Sequence, residues 1–259
     1  MGKRERYEPG TFSWVDLATT DAGAAKAFYG KLLGWDFEDS QVPGGGVYSM
    51  ARLDGDQVAG LYDMSAEMRE RGVPPNWTNY VTVEDADAAA ARARDAGGTV
   101  HAEPFDVMDA GRMAIIQDPQ GAMFAVWQPR SSIGATRVND VGCLTMNELS
   151  TTDLDAAAAF YGQLFGWDVQ VVAEGVPYWS ATNKGRLNAG MTVVRGGAPP
   201  HWKPYFTVAS CDAAAETIGS GGGRVLAGPL DIPSGRIAVA MDPQGAAFAV
   251  FEGEVDPDP

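Results

Sequence analysis

Asp21 to Trp35, D-A-G-A-A-K-A-F-Y-G-K-L-L-G-W, decides how the rest of this sequence is read, because its pattern occurs twice. Asp153 to Trp167, D-L-D-A-A-A-A-F-Y-G-Q-L-F-G-W, repeats it 132 positions on, from 21 to 153. A second phrase behaves the same way. Asp118-Pro119-Gln120-Gly121-Ala122 returns as Asp242-Pro243-Gln244-Gly245-Ala246, 124 positions on, from 118 to 242. The order is kept and the offset drifts by a few residues, so the chain holds two copies of one domain.

Working outward, Phe12–Ala18 reads as a strand that runs into Asp21, whose carboxylate can cap the helix that follows. Ala25, Phe28 and Leu32 share one helical face, and Gly34 stands where a helix-ending glycine belongs. Strands follow from Phe37, over Val47–Leu53 and over Gln57–Leu61, the last two joined by the hairpin signal Asp54-Gly55. A second unit begins with Trp77–Val83, continues through an Ala-rich helix over Asp85–Ala96, and ends in strands near Thr99–Phe105, Arg112–Gln117 and Ala122–Gln128. Asp118–Gly121 has the residues of a type I turn. The later half repeats the plan from Leu144 to Phe251. The fold class expected is α+β, built from four βαβββ modules in two pairs. Residues 8–129 form the first domain, 130–141 a linker and 142–253 the second domain.

Composition narrows the function. The net charge of −15 opposes a nucleic-acid backbone, whose binding rests on clustered Lys and Arg. No apolar run is long enough to span a membrane, and Met1–Tyr7 lacks the apolar core of a signal peptide, so a cytoplasmic protein is expected. Cys143 and Cys211 occupy non-equivalent places in the two copies, as two small buried thiols would. Gly44–Gly46 and Gly221–Gly223 read as loop and helix-stop glycines, with no P-loop pattern after them.

The strand before D-x-x-x-A-x-x-F-Y-x-x-L-x-G-W and D-P-x-G before a last strand, both seen twice, with the A-x-x-A-G-G helix end at Ala93–Gly98, resemble the vicinal oxygen chelate superfamily. This group holds glyoxalase I, extradiol dioxygenases and bleomycin-resistance proteins, and the resemblance covers nearly the whole chain. It implies two glyoxalase/bleomycin-resistance-like domains, each with a curled eight-stranded sheet whose concave face holds a ligand. It also implies three metal-ligand points per domain. Carried over, these fall on Trp14, Thr78 and Ala125 in the first copy and on Met146, Lys203 and Ala249 in the second. None is a usable donor for Zn, Fe or Mn, which take imidazole, carboxylate or thiolate. The chain has two histidines, His101 and His201. No metal and no cofactor is therefore expected.

Strand alternation then gives the neighbours that share the concave face. They are Phe12, Trp14, Asp16, Thr78, Tyr80, Met123 and Trp127 in the first copy, and Leu144, Met146, Glu148, Lys203, Tyr205 and Phe251 in the second. Such a face suits a flat organic ligand held by burial and stacking. Two indoles, Trp14 and Trp127, make the first cleft the expected site for aromatic compounds, while the second, with Lys203 at its rim, is expected to prefer something smaller or anionic. Asp16 and Glu148 are the candidate catalytic residues, since a carboxylate in an apolar cleft can act as acid or base. The alternative is a carboxylate paired with an arginine, Arg112 or Arg236. The favoured function is metal-free binding of a small planar aromatic molecule, for resistance, sequestration or an accessory role in natural-product metabolism. The alternative is an enzyme, either a glyoxalase-like lyase or a cofactor-independent catalyst using a cleft carboxylate. A monomer or a homodimer fits either reading.

Overall fold

The computed structural model describes residues 2–42, 45–172, 175 and 177–255; Gly44 of the glycine run lies outside them. The first module is β1 (Phe12–Thr19), α1 (Ala22–Leu33), β2 (Asp36–Gln41), β3 (Val47–Leu53) and β4 (Asp56–Asp63). A short helix, α2 (Ala66–Glu70), leads to the second: β5 (Asn76–Thr82), α3 (Ala86–Asp95), β6 (Thr99–Val107), β7 (Gly111–Gln117) and β8 (Met123–Pro129). The third is β9 (Leu144–Thr151), α4 (Leu154–Phe165), β10 (Asp168–Val171), β11 (Tyr178–Asn183) and β12 (Arg186–Val193). The fourth is β13 (His201–Thr207), α5 (Cys211–Ser220), β14 (Arg224–Ile232), β15 (Gly235–Met241) and β16 (Ala247–Gly253). Helix α2 was not expected, and its five residues bury no side chain.

Each half forms an eight-stranded sheet, ordered β2-β3-β4-β1-β5-β8-β7-β6 and, in the second half, β10-β11-β12-β9-β13-β16-β15-β14. The modules meet where β1 runs antiparallel to β5, and β9 to β13. Asp21 and Asp153 cap α1 and α4 by accepting from the amides of Ala24 and Ala156, and Gly34 and Gly166 end those helices in the left-handed conformation. Both cysteines are buried.

The two main cores each draw on both halves. Phe28, Tyr29 and Trp35 of the first half pack with Phe206, Ile218 and Phe248 of the second. Phe124 and the alanines of α3 pack with Phe160, Tyr161 and Trp167. The repeated phrases meet there. Tyr29 donates to Asp242 at 3.1 Å and Tyr161 donates to Asp118 at 3.0 Å, so each copy's helix is bonded to the other copy's Asp-Pro-Gln-Gly turn. Asp118 Oδ1 also accepts from the amides of Gln120, Gly121 and Ala122, and Asp242 repeats this set.

Candidate functional site

On the face of each sheet away from these cores, three strands bring the expected residues together. Trp14 stands opposite Tyr80 and Asp16 opposite Thr78, while Tyr80 lies beside Ala125 on β8. In the second sheet Met146 stands opposite Tyr205 and Glu148 opposite Lys203, with Tyr205 beside Ala249. The two centres therefore share one register and differ in chemistry.

In the first cleft Asp16 is buried with three neutral donors and, among the described residues, no cation. Tyr48 Oη lies 2.6 Å away, Trp14 Nε1 2.7 Å and Tyr80 Oη 2.9 Å. Burial pushes the Asp16 carboxyl above the usual carboxylate range, and the bonds from Tyr48, Tyr80 and Trp14 only partly oppose it. The same burial, with Asp16 beside them, drives the phenols of Tyr48 and Tyr80 well upward, so both remain donors. Trp127 sits edge-on to Tyr80, and its Nε1 donates to Ser132 O.

In the second cleft Glu148 accepts from Lys203 Nζ at 2.8 Å and from Tyr205 Oη at 2.9 Å. The Lys203 ammonium also stands 5.7 Å from the centre of the Tyr205 ring. Tyr178 is half-buried, and its hydroxyl reaches Met146 Sδ at 3.9 Å. His201, half-buried at the start of β13, is held by Pro199 O, and burial lowers its pKa toward the neutral imidazole.

Several expectations are corrected. Lys203 is a buried ion-pair partner, 5% exposed, where an exposed lysine at the rim was expected. Neither Arg112 nor Arg236 pairs with a cleft carboxylate, because Arg112 is spent on Asp87 and Asp106 and Arg236 on Asp212 and Asp231. Phe12 does not face the cleft. A register shift between Phe12 and Trp14 reverses the alternation, and Phe12 packs on Trp167 and Trp202 in an inter-half core. A shift between Tyr205 and Phe206 does the same to Leu144. Met123 lies exposed at the start of β8, outside the cluster around Trp14.

Sequence reasoning also missed residues that β3 and β11 bring in. Tyr48 lies over Gly60 and Tyr178 over Gly190; a Cβ on either glycine would come within 2.0 Å of the tyrosine hydroxyl. Each tyrosine precedes its glycine by 12 positions, and both pairs recur 130 apart, from 48 to 178. That spacing, inside the known repeat, is the signal that could have found them.

The comparisons agree with this architecture. The glyoxalase/bleomycin resistance protein/dioxygenase superfamily matches residues 11–126, and the glyoxalase-like domain matches residues 144–251. A Mycobacterium tuberculosis protein named "Putative glyoxylase CFP32" is 45% identical, over 97% of this chain and 98% of its own length. The chain belongs to the glyoxalase/bleomycin resistance/dioxygenase superfamily. A further member, the anthracycline biosynthesis protein DnrV of Streptomyces peucetius, is 35% identical over 95% of this chain and 94% of its own. Among solved structures, the 2,3-dioxygenase LapB of Pseudomonas sp. KL28 superposes with a TM-score of 0.66 at 15% identity, over 98% of this chain and 96% of that one. The Mn(II)-bound glyoxalase of Novosphingobium aromaticivorans gives 0.65 at 16% identity, over 96% and 83%. At such identities these two show the shared fold.

Manganese in that superfamily glyoxalase poses the question of a metal here, and the residues present do not fit one. The points implied for ligands carry an indole, a threonine hydroxyl and a methyl in one sheet, and a thioether, an ammonium and a methyl in the other. A divalent ion needs several imidazole, carboxylate or thiolate donors. Among the described residues, no group of three or more His, Cys, Asp or Glu is placed to hold one.

Proposed function

We propose that this protein is a metal-independent member of its superfamily that binds a small, planar organic molecule against the concave face of its sheets. Its role on this reading is accessory, within natural-product metabolism. The observation that carries the reading is the residue row where metal ligands would stand. Trp14, Tyr80 and Ala125 stand with buried Asp16 in one sheet, and Met146, Tyr205 and Ala249 with buried Glu148 in the other. Half-buried Tyr48, Met50 and Tyr62 in the first cleft, and Met146 and Tyr178 in the second, add aromatic and thioether surface for a flat ligand. The relatives named for anthracycline biosynthesis support the metabolic setting.

Metal analysis and ligand titration test this together. Purified protein is expected to hold no stoichiometric transition metal and to bind planar aromatics after chelation. One equivalent of Zn, Ni, Fe or Mn per chain, resistant to mild chelation and needed for activity, would overturn it.

A second reading is favoured by one observation, the raised Asp16 carboxyl among neutral donors. It is a cofactor-independent acid–base enzyme, with Asp16 or Glu148 moving the proton. Asp16→Asn and Glu148→Gln separate the two readings. Turnover lost with ligand binding retained marks a catalyst, whereas parent-like turnover, or none in the parent, marks a binder. The glyoxylase name of the mycobacterial relatives keeps a lyase within this second reading.

A further inference from the structure

The two clefts differ in what covers them and in what donors they have left. In the first, residues 130–141 and the N-terminal segment brace each other: Arg4 N donates to Thr136 O, Val138 N to Gly2 O, and Tyr7 Oη to Ala135 O. Ala135 and Val138 belong to the same buried cluster as Trp14, Tyr80, Met113 and Trp127, and Tyr7 packs on it. The connecting segment thus covers the part of the first cleft around Trp14 and Trp127. The equivalent cluster of the second, Tyr205, Ala249 and Phe251, gains only Val255 from outside the sheet among the described residues. Met146 and Ile237 there are half-buried where their counterparts Trp14 and Met113 are buried.

Donors follow the same division. The indole N–H of Trp14 and the hydroxyls of Tyr48 and Tyr80 are all spent on Asp16. Lys203 is different. An ammonium has three N–H donors, and its described hydrogen bond is the one to Glu148 Oε1, so two donors of a buried lysine lack an acceptor among the described residues. A buried donor without a partner is costly, which makes it a strong recognition element for a ligand oxygen. The Lys203–Glu148 pair sums to no net charge, and the chain as a whole carries −15. Both facts favour a neutral acceptor over an anion.

We infer that the second cleft is the working pocket and that it takes a planar aromatic ligand by a neutral carbonyl oxygen, an aryl ketone or quinone, hydrogen-bonded to Lys203. Met146, Tyr178 and Phe251 supply the apolar contact. This rests on the ligand-binding reading above and narrows it.

The test uses a matched pair, xanthone and xanthene, which differ by the carbonyl, with binding read by equilibrium dialysis. Xanthone is expected to bind at least about tenfold more tightly. Lys203→Met should abolish the difference and leave xanthene binding as it was. Because that variant strands a buried carboxylate, the double variant Lys203→Met with Glu148→Gln is measured beside it and should give the same loss. Equal binding of the two compounds by the parent, or a difference that survives in the double variant, overturns the inference and leaves ligand binding standing. Stronger binding of 2-naphthoate than of xanthone overturns the neutral-carbonyl assignment. Binding of neither xanthone nor xanthene overturns both readings.

Discussion

At the scale of single residues, the two glycines beneath the cleft tyrosines behave differently because of what each tyrosine touches. A Cβ at Gly60 would fall 1.9 Å from Asp16 Oδ1 and 2.0 Å from Tyr48 Oη, so both partners of a buried hydrogen bond must move. At Gly190 the obstacle is the Tyr178 hydroxyl, which holds only a weak contact to sulfur. Gly60→Ala is expected to cost about 1–3 kcal/mol by overpacking, and Gly190→Ala less, in urea unfolding. Equal costs would mean that the Asp16 network is not rigid. Asp16 itself gives a pH prediction. Its folded pKa is raised, so between the ordinary carboxylate value and the folded value the native state holds more protons than the unfolded one. Its contribution is therefore retained at low pH and lost as pH rises through that window, with a slope of at most about 1.4 kcal/mol per pH unit. Asp16→Asn should remove that slope, and the difference between parent and variant isolates it from other carboxylates. A difference that stays flat from pH 4 to 8 would contradict the burial argument. At this scale the sequence was partly legible. Alternation placed Trp14, Asp16, Tyr80 and Glu148 on the cleft face, but a one-residue bulge at Ser13 sent Phe12 to the other side, and bulges carry no strong local signal.

Among the elements, capping and periodicity made the helices readable. Asp21 and Asp153 at one end, and Gly34 and Gly166 at the other, bound α1 and α4 within a residue of expectation. What the pattern did not reveal was why Phe-Tyr follows the same phase in both helices. Tyr161 both donates to Asp118 and accepts from Trp202 Nε1 at 2.8 Å, and Tyr29 does the same between Asp242 and Trp77 at 3.1 Å. The tyrosine thus fastens a helix of one half to a turn of the other while satisfying a buried indole of its own half. Tyr161→Phe removes both bonds and leaves the Trp202 N–H without an acceptor, at a cost of about 2–3 kcal/mol. Tyr29→Phe should cost a similar amount, since the environment is repeated. A loss below about 0.5 kcal/mol in either variant would show that the bonds are replaced by water.

Taken whole, the molecule is one folded body made from two copies of a domain, and the repeat alone could not say so. Two copies of a phrase fix neither which copy of the helix meets which copy of the turn nor what the linker does. The structure answers with exchange: Tyr29 finds Asp242 and Tyr161 finds Asp118, Trp35 Nε1 donates to Gly142 O, and Trp167 Nε1 to Gly10 O. Each half therefore leaves a bare apolar face, Phe28, Tyr29 and Trp35 in the first and Phe160, Tyr161 and Trp167 in the second. Exposing such a face to water forfeits roughly 25 cal/mol for each square ångström, a large fraction of the stability of any domain of this size. Cutting the chain between Asp140 and Val141, where Val141 is exposed, keeps the covering segment with its cleft. Neither fragment is then expected to persist as a folded monomer. Because both halves carry the tyrosine and the turn, a fragment can satisfy itself only with a second copy, Tyr29 of one against Asp118 of another, as each half now satisfies its neighbour. Co-expressed fragments should instead assemble one to one and recover the near-ultraviolet circular dichroism of the intact chain, which should itself unfold in a single transition. Sedimentation showing either fragment alone as a monomer that unfolds cooperatively would mean that the exchanged contacts do not hold the fold together.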